Sequence, residues 1–547
     1  TKNNYIACLF KAGESIAAAW TDITTGEFSV AEFSGVSALE DTITQIVKLS
    51  VAEVICNEEM LLASKDVKEI RHNLLPAFSC YVPWAFNVKH AEKNLLEQFQ
   101  TLSLAAYGIA GKENAIAAAG ALVEYLRETQ KHSLSNINSV KVVDHEQYMV
   151  LDSIAVRNLE LVRSNAEGKK YGSLLWLIDK TRTGMGARLL NQMVLSPLKD
   201  IEKINYRQEG VAELFNASVV RMGLSDTLRE VKDVERLSGK ISNGNFSPRD
   251  CVALAASLNA VPSVKFQLTG FSSKILADID ADLLDMKPLA DLLSAAICDS
   301  PPALMKDGEY IREGFNKELD ELRMIGKNGK ELILGIEARE KERTGIKNLK
   351  VGYNRVFGYF IEISNSFKDK VPDDYIRKQT LTTGERFITQ ELKELEEKIL
   401  TAGEKALKLE ARLYADLLDV LLQNISKLKK ISSAIALLDC LVAFATVAKE
   451  RRYCRPQMIA SGGRLMISEG RHPVVEAISK ERFVPNDTLL DNEDNRSAVI
   501  TGPNMAGKST YMRQVALIVL LAQIGSFVPA ASCHVGVVDA IFTRIGA

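Results

Sequence analysis

The sequence predicts a multidomain protein with α/β and mostly-α parts, and three observations support that prediction. The chain has 547 residues, whereas single hydrophobic cores stop growing near about 250–300 residues. Its first part mixes short apolar runs with helical ones, and helical periodicity dominates the middle. Near its end, an apolar run, a glycine-rich loop and a helical pattern follow one another, which is the order of an α/β unit.

The composition is that of an ordinary soluble globular protein. Hydrophobic residues make up 46% and charged residues 25% of the chain, which excludes disordered, collagen-like and membrane proteins. The 68 Lys and Arg residues nearly balance the 70 Asp and Glu residues, for a net charge of −2. Any contact with nucleic acid therefore requires a local basic surface.

The cysteines and the apolar stretches indicate a cytoplasmic location and no membrane partner. Eight cysteines are scattered singly without a C-x-x-C pair, which predicts packed thiols in a reducing compartment, with neither a zinc site nor a disulfide scaffold. The longest strongly apolar stretch is taken as Val515–Ala522, far short of the roughly 20 residues of a membrane helix. The chain opens on Thr1 without a signal peptide, which suggests a trimmed or processed chain.

Residues 1–130 predict a small α/β domain. Tyr5–Phe10 and Ser15–Thr21 have the pattern of paired strands, a helix follows from Ser37, and Val51–Cys56 predicts another buried strand. Long helical patterns then dominate to about residue 340. Predicted helices in this part cover Ile116–Glu128, Ser153–Arg163, Leu174–Asp179 and Ala187–Val194.

Two helical arms with a small β tip are predicted between residues 310 and 425. The downstream arm carries apolar residues at a 3-4 spacing, namely Leu392, Leu395, Ile399, Ala402, Ala406, Leu409 and Leu413. The upstream arm carries Phe315, Leu319, Leu322, Ile333 and Ile336 in one heptad frame. Between the arms the period changes to two, around a turn at Asn354–Gly358. The spacing fits a coiled coil and also ordinary bundle packing.

The predicted tip is basic. Residues 341–380 contain nine Lys and Arg residues against five Asp and Glu residues, and aromatic residues are interleaved with them. Such a surface suits salt-dependent contact with a phosphate backbone. The alternative is a solvated charged face without a ligand.

The glycine-rich loop has the sequence G-x-x-x-x-G-K-S, between a predicted buried strand at Ala498–Thr501 and a predicted helix at Thr510–Gln523. Backbone N–H groups of such a loop surround phosphate oxygens at a helix N-terminus. Lys508 is expected to neutralise the β and γ phosphates, and the Ser509 hydroxyl to coordinate Mg²⁺. The predicted nucleotide-binding residues are Gly502, Pro503, Asn504, Met505, Ala506, Gly507, Lys508, Ser509 and Thr510.

Hydrolysis of ATP also requires a carboxylate on a second strand, the Walker B residue. After Lys508 the candidate is Asp539, whose context is that of a strand end. The sequence therefore predicts nucleotide binding in an incomplete nucleotide domain, and no catalytic set that is complete in this chain. A structural coiled-coil protein with a nucleotide-gated switch is an alternative, and a P-loop kinase is disfavoured because no substrate lid follows the loop.

Several motifs together resemble the MutS family of bacterial DNA mismatch-repair proteins. The motifs are Thr501–Gln514 at the loop, Glu469–Glu476, Phe483–Asp487, Ile541–Ala547, Tyr353–Tyr359, Arg377–Leu381, and Arg157–Glu160. The resemblance extends over essentially the whole chain. It implies a small α/β connector, a long-helix lever core with a β-rich DNA clamp at its tip, and an incomplete ATPase domain of the ABC type.

The resemblance assigns five domain ranges. They are a connector at 1–130, the first part of the lever and core at 131–330, the DNA clamp at 331–395, the returning lever helices at 396–455, and the N-terminal part of the ATPase domain at 456–547.

The resemblance also implies residue roles. Phe483 stacks on adenine, with a packed core aromatic as its alternative, while Asn504 and residues 507–510 hold the phosphates of ATP or ADP. The clamp residues expected to contact the DNA backbone are Arg355, Lys368, Lys370, Arg377 and Lys378.

The implied partners are double-stranded DNA, a second copy of the chain in a homodimer, and a MutL-like protein in the bacterial cytosol. Two departures from the family pattern stand out. The N-terminal domain of the family, which reads mispairs with a Phe-x-Glu motif, is expected to be missing before Thr1. The Walker B strand, the signature loop and the dimerisation helices are expected to be missing after Ala547. A branch of the family without the reader, which clamps recombination intermediates, is therefore an alternative.

Overall fold

The computed structural model describes residues 3–71, 75–129, 134, 136–354, 358–460, 463–503 and 506–544. The chain divides into two compact units. Unit one comprises Thr1–Phe246, Ala253–Lys287 and Leu422–Ala547, and unit two comprises Ser247–Val252 and Pro288–Leu421.

The elements up to the end of the helical middle run in the following order. They are β1 (Ile6–Ala12), β2 (Ser15–Asp22), β3 (Glu27–Ser34), α1 (Ala38–Leu49), β4 (Glu53–Cys56), α2 (Glu58–Arg71), β5 (Phe78–Cys80), α3 (Val88–Phe99), α4 (Glu113–Thr129), β6 (Lys141–Val142), β7 (Val150–Leu151), α5 (Ser153–Asn158), α6 (Leu174–Ile178), α7 (Gly184–Leu195), α8 (Ile201–Asn216), α9 (Ser218–Glu230), α10 (Val234–Ser242), α11 (Pro248–Leu268), α12 (Lys274–Asp282) and α13 (Lys287–Ala296).

The remaining elements are α14 (Lys317–Thr344), β8 (Lys350–Asn354), β9 (Gly358–Ser364), β10 (Ile376–Thr380), β11 (Gly384–Ile388), α15 (Gln390–Gln423), α16 (Ile425–Arg451), β12 (Gln457–Ile459), β13 (Leu465–Gly470), α17 (Pro473–Ile478), β14 (Asn486–Leu490), α18 (Lys508–Gln523), β15 (Ser532–Gly536) and β16 (Ala540–Ile541). Short 3₁₀ turns include His145–Gln147 and Asn365–Lys370.

Unit one begins with a six-stranded sheet in the order β5-β4-β1-β2-β3-β6. Alternate residues of its central strand β2 point to opposite faces, as the pleat requires. Ala17 and Ala19 join a core cluster with α3 and α4, whereas Ile16, Ala18 and Trp20 join a second cluster with α1. Helices cover both faces, so β2 is buried almost throughout and reads as a continuous apolar run.

The helix α16 forms the centre of the helical part of unit one. It packs against α7, α8, α9, α10 and α12, and its side chains from Ala434 to Ala448 are nearly all buried. Two helices among the described residues, α11 and α16, are long and apolar enough to cross a membrane, but the apolar window of α16 is 83% buried inside the structure. Val515–Ala522 remains the longest uninterrupted apolar run, as predicted. The helix α16 nevertheless has the length and hydropathy of a membrane span, because Asp439 and Thr446 interrupt its apolar segment without ending it.

Unit two contains the two predicted arms and the predicted tip. The arms are α14 and α15, and they run antiparallel, since Arg339 pairs with Glu391 near one end and Arg323 with Glu410 farther along. The buried positions of α15 include Leu392, Ala402 and Ala406, as the 3-4 spacing predicts.

The tip is a four-stranded antiparallel sheet in the order β10-β11-β9-β8. Tyr353 of β8 lies opposite Tyr359 of β9, so the predicted strand pair is confirmed. The strands β10 and β11 were not predicted, because neither has the alternation of apolar and polar residues that indicates a strand: β10 is IRKQT and largely exposed, and β11 is GERFI with its apolar residues adjacent. Arg355, in the predicted turn, lies outside the described residues.

Glu410 of α15 organises the loop that precedes α14. Its buried carboxylate accepts hydrogen bonds from the backbone N–H groups of Glu309, Tyr310 and Ile311 at 3.0, 2.7 and 2.8 Å, and it contacts Arg323 at 2.7 Å. One carboxylate therefore satisfies four donors, of which the Tyr310 and Ile311 N–H groups are buried.

We expect Glu410→Gln to destabilise unit two by about 2–3 kcal/mol, because an amide oxygen replaces two carboxylate oxygens and the Arg323 charge is left unpaired. Urea-induced unfolding measured by circular dichroism checks this value. Glu404→Gln, on the exposed side of the same helix, is the matched control and should change the unfolding free energy by less than about 0.5 kcal/mol. Equal stability of the two variants would contradict the assignment.

Candidate nucleotide and nucleic-acid sites

The glycine-rich loop leads directly into α18. Gly507 is the N-cap of this helix and has φ +86° and ψ 5°, a left-handed conformation that favours glycine. Its carbonyl accepts the N–H of Tyr511 at 2.9 Å, which closes the first helical turn. The first N–H groups of α18 have no partner inside the helix and carry its partial positive charge. The helix therefore presents anion-binding N–H groups where the motif predicts phosphates.

The ammonium of Lys508 lies over the loop. Its Nζ donates hydrogen bonds to the carbonyl oxygens of Gly502 at 2.5 Å and Pro503 at 2.9 Å. An ammonium has three donors, so one remains for a phosphate oxygen. Ser509 is exposed beside it, and Thr510 is half-buried. These residues fit a nucleotide phosphate and its Mg²⁺, since the ammonium keeps one donor beside the helix N-terminus and Ser509 is accessible.

The predicted strand at Ala498–Thr501 is wrong. These residues form no strand, and Val499 and Ile500 are 92% and 37% exposed. A parallel strand requires a neighbour that pairs with its N–H and C=O groups, and none of the described strands pairs with this segment. The apolar residues are therefore compatible with a strand, but their local pattern is not sufficient to form one.

The helix α18 is fixed to its surroundings by polar side chains. The Tyr511 hydroxyl lies 2.9 Å from the Thr488 hydroxyl and donates to the Asp487 carbonyl at 3.2 Å, both in β14. At the other end, the buried Gln523 amide donates to the Leu198 carbonyl at 2.8 Å and accepts the Val538 N–H at 2.9 Å. The roles of Tyr511 and Gln523 were not predicted from the sequence. Lys508 and Tyr511 stand three residues apart, and this spacing places both side chains on one face of the helix. The spacing is the feature of the sequence from which a contact of Tyr511 near the loop could have been predicted.

Arg513 links the same helix to the segment after α5. Its guanidinium lies 3.3 Å from the Glu160 carboxylate. Burial, together with the Arg513 charge, lowers the pKa of His472 to about 4. His472 is therefore neutral at pH 7, and its Nδ1 accepts the Val475 N–H at 3.2 Å as the N-cap of α17.

The other predicted nucleotide residues have different outcomes. Phe483 is half-buried in the irregular segment before β14 and is not among the buried core aromatics. That segment leads into Asp487 and Thr488, which contact α18. Asn504 and Met505 lie outside the described residues, while Ala506 is exposed and donates its N–H to the Pro503 carbonyl at 3.4 Å.

Acidic residues do not complete a metal centre in the described part of the chain. Asp539 directly precedes β16, which pairs with β7. The backbone carbonyl of Asp539 accepts the Val150 N–H at 2.7 Å. Within the described ranges no group of three His, Cys, Asp or Glu side chains could hold a metal ion. Of the eight cysteines, five are buried, two are half-buried and Cys80 is exposed, and all are free thiols.

In the tip of unit two, the predicted DNA-contact residues divide into two groups. Lys368 and Arg377 both approach the Glu385 carboxylate, at 2.8 and 3.6 Å. The Lys368 ammonium, followed by the Arg377 charge, lowers the pKa of Glu385. Lys370 and Lys378 are exposed and form no ion pair among the described residues. The second pair therefore offers charges that an external phosphate can neutralise without displacing a carboxylate.

The fold and the loop define a multidomain protein with α/β and helical parts that carries a P-loop at the start of a helix. Models of three domains of one family match the chain in order: MutS domain II over residues 4–138, MutS domain III over 154–445 and MutS domain V over 498–547. The chain belongs to the MutS family.

Curated relatives agree with this assignment over the full chain. The DNA mismatch repair proteins MutS of Lachnoclostridium phytofermentans, Pelotomaculum thermopropionicum and Clostridium perfringens are 42%, 45% and 44% identical to it. All of this chain is covered, together with 58%, 63% and 59% of the respective relative. The chain thus spans about three fifths of the length of these relatives.

Proposed function

We propose that the protein acts in DNA mismatch repair as an ATP-dependent clamp on duplex DNA. The observation that carries the proposal is the match to MutS domains II, III and V in chain order, with the phosphate loop at the start of α18 inside the last match. The predicted domain ranges from 1–130 to 456–547 belong to this proposal, as do the homodimer, the MutL-like partner and the bacterial cytosol.

The nucleotide would be held by the start of α18. The N–H groups from Gly507 to Thr510 and the Lys508 ammonium would bind the phosphates of ATP or ADP, and Ser509 would bind Mg²⁺. Phe483 would stack on adenine, with Gly502, Pro503, Asn504, Met505 and Ala506 forming the rest of the loop. When bound, ATP supplies the free energy of hydrolysis, and the residues described above bind and orient it. MutS-type proteins are ATPases in general.

The DNA backbone would be contacted by the basic tip, through Lys370 and Lys378 first. Lys368 and Arg377 would contribute less, because binding a phosphate competes with their contacts to Glu385. Arg355 completes the predicted set. Such contacts are sequence-independent and weaken with salt, so discrimination of mispairs would come from the deformability of weakly stacked DNA.

Replacing Lys370 and Lys378 together by alanine should reduce the salt dependence of duplex binding. Each lost phosphate contact lowers the slope of log K against log salt by about 0.9, so we expect a decrease of about 2. Fluorescence anisotropy with a labelled duplex at four salt concentrations measures it. The control is Lys398→Ala with Lys405→Ala, two exposed lysines of α15. A slope unchanged in the tip variant would exclude the proposed backbone contacts.

Two measurements test the function as a whole. Inactivating the gene should raise the spontaneous mutation frequency of the host, and the wild-type gene, but not one encoding Lys508→Ala, should restore it. Binding of the intact protein to duplexes with and without one mispair, at identical salt with ADP, should favour the mispaired duplex. Equal affinity, or a preference for a branched junction together with an unchanged mutation frequency, would support the recombination alternative instead.

A further inference from the structure

A large cavity lies in unit one, beside the six-stranded sheet. Its volume is about 910 Å³, within the usual range for sites that bind small molecules. One side is formed by residues of α1 and β3, and the other by α7 and the segment 162–170. None of the described residues of the phosphate loop lines it. The cavity is therefore distinct from the candidate nucleotide site.

The cavity has an aromatic wall. Trp20 and Phe33 of the sheet line it, together with Tyr148. The imidazole of His145 packs on the Phe33 ring with 4.5 Å between ring centroids. Flat apolar surfaces of this kind favour a planar ring in the ligand.

The same cavity is rich in positive charge. Its lining contains seven Lys and Arg residues against four Asp and Glu residues. Three of the cations are neutralised, since Lys169 pairs with Glu167, Lys170 with Asp179, and Arg188 with Asp233 and Glu235. The other four cations form no ion pair or side-chain hydrogen bond within the described ranges of the chain; they are Lys48, Lys141, Arg163 and Lys199.

Lys48 is the most informative of these four cations. It stands in the last turn of α1, where burial lowers the pKa of its ammonium to about 8, although Asp152 and Asp41 oppose the effect. Neither carboxylate is within ion-pair distance. Burial, together with the Lys48 charge, lowers the pKa of the adjacent His145 to about 4, so this imidazole adds no positive charge at pH 7. A partly desolvated ammonium without a contacting anion gains free energy when an anion binds.

We propose that this cavity binds a small organic anion, with a planar ring against the aromatic wall and a phosphate or carboxylate group at Lys48 and the neighbouring unpaired cations. The inference does not depend on the proposed role in mismatch repair.

Pyridoxal 5′-phosphate is a suitable probe, because it combines a planar ring, a phosphate and an aldehyde that condenses with an uncharged lysine amine and releases water. Borohydride then reduces the imine to a stable secondary amine, which peptide mass spectrometry locates. At pH 8 we expect Lys48 to be labelled at least about tenfold faster than Lys112, which is exposed and outside the cavity, since the cavity binds the probe beside Lys48 and burial lowers the pKa of the Lys48 ammonium to about 8. The rate should saturate with probe concentration, as binding before reaction requires.

Three competitors with the same ring determine which group is recognised. Pyridoxine 5′-phosphate or 4-pyridoxic acid should protect Lys48, and whichever protects better identifies phosphate or carboxylate as the preferred anion. Uncharged pyridoxine should protect at least about tenfold less well. Lys508→Ala, which removes the charged donor of the phosphate loop, should leave the labelling of Lys48 unchanged, so failure of this inference is distinguishable from failure of the nucleotide site.

Two variants complete the test. Lys48→Gln should abolish labelling at this position, and Arg163→Gln, at an exposed lining residue, should weaken protection by pyridoxine 5′-phosphate about fivefold without changing the thermal midpoint. Labelling of Lys48 that rises linearly with probe concentration, or equal protection by uncharged pyridoxine, would overturn the proposal.

Discussion

Replacing Lys508 with alanine is expected to weaken ADP and ATP binding by about 100- to 1000-fold while leaving the fold intact. The ammonium is the charged donor of the loop, and losing its charge-assisted hydrogen bonds to the phosphates costs about 3–4 kcal/mol. The fold should tolerate the change, because the recorded contacts of Lys508 are two hydrogen bonds to loop carbonyls at the surface.

Isothermal titration with Mg·ADP measures the affinity, and the thermal midpoint without nucleotide verifies the fold. Lys480→Ala, at an exposed residue after α17, is the matched control and should bind as the wild type does. Saturating ADP should raise the thermal midpoint of the wild type and of the control, but not that of the Lys508 variant. Unchanged ADP affinity in the Lys508 variant would exclude the loop as the nucleotide site.

Replacing Asp439 with alanine is expected to destabilise unit one by about 3–5 kcal/mol. The buried carboxylate on α16 accepts the N–H groups of Arg182 and Thr183 at 2.9 and 2.8 Å and the Thr183 hydroxyl at 2.7 Å. The Thr183 hydroxyl in turn accepts the Gly186 N–H at 2.9 Å and caps α7. Alanine leaves the two buried Thr183 donors and the part-buried Arg182 N–H without this partner, and each buried donor costs about 1–3 kcal/mol.

A decrease of about 10 °C in the thermal midpoint of unit one would correspond to this loss. Asp419→Asn, at an exposed position of α15, controls for the removal of a carboxylate and should leave the midpoint within about 1 °C. A midpoint unchanged by Asp439→Ala would show that α16 and α7 do not depend on this network.

The same residue predicts a pH dependence with a definite sign. Burial raises the pKa of Asp439 to about 6, with the hydrogen bonds from Arg182 and Thr183 opposing the effect, whereas an unfolded Asp has a pKa of about 3.9. The folded state therefore binds the proton more tightly, so this stabilising contribution is complete below about pH 4 and is lost as the pH rises through 6. Asp439→Asn cannot titrate, and its deficit relative to the wild type should grow as the pH falls from 7 to 4.5.

Several features of the protein follow from the sequence alone. The loop motif located Gly507 at the helix start and Lys508 over the loop, because both roles depend on residues within one turn of each other. The apolar runs of β1 and β2, the alternation in β8 and β9 and the 3-4 spacing in α15 likewise depend on the local sequence pattern, which hydrophobic burial then selects. The family assignment also came from contiguous motifs, and the domain matches confirm it.

Other features were decided only by the tertiary structure. The apolar run at 498–501 does not become a strand, since a strand requires hydrogen bonds from a neighbour that the run itself does not specify. Lys368 and Arg377 form ion pairs, unlike Lys370 and Lys378, because the folded tip brings Glu385 close to the first two side chains. Glu385 is distant from Lys368 in sequence. The cavity beside Lys48 and the buried network of Asp439 likewise join segments far apart in the chain. Periodicity and local charge can be recognised from a few consecutive residues. Burial and ion pairing depend instead on which distant segments the fold brings together.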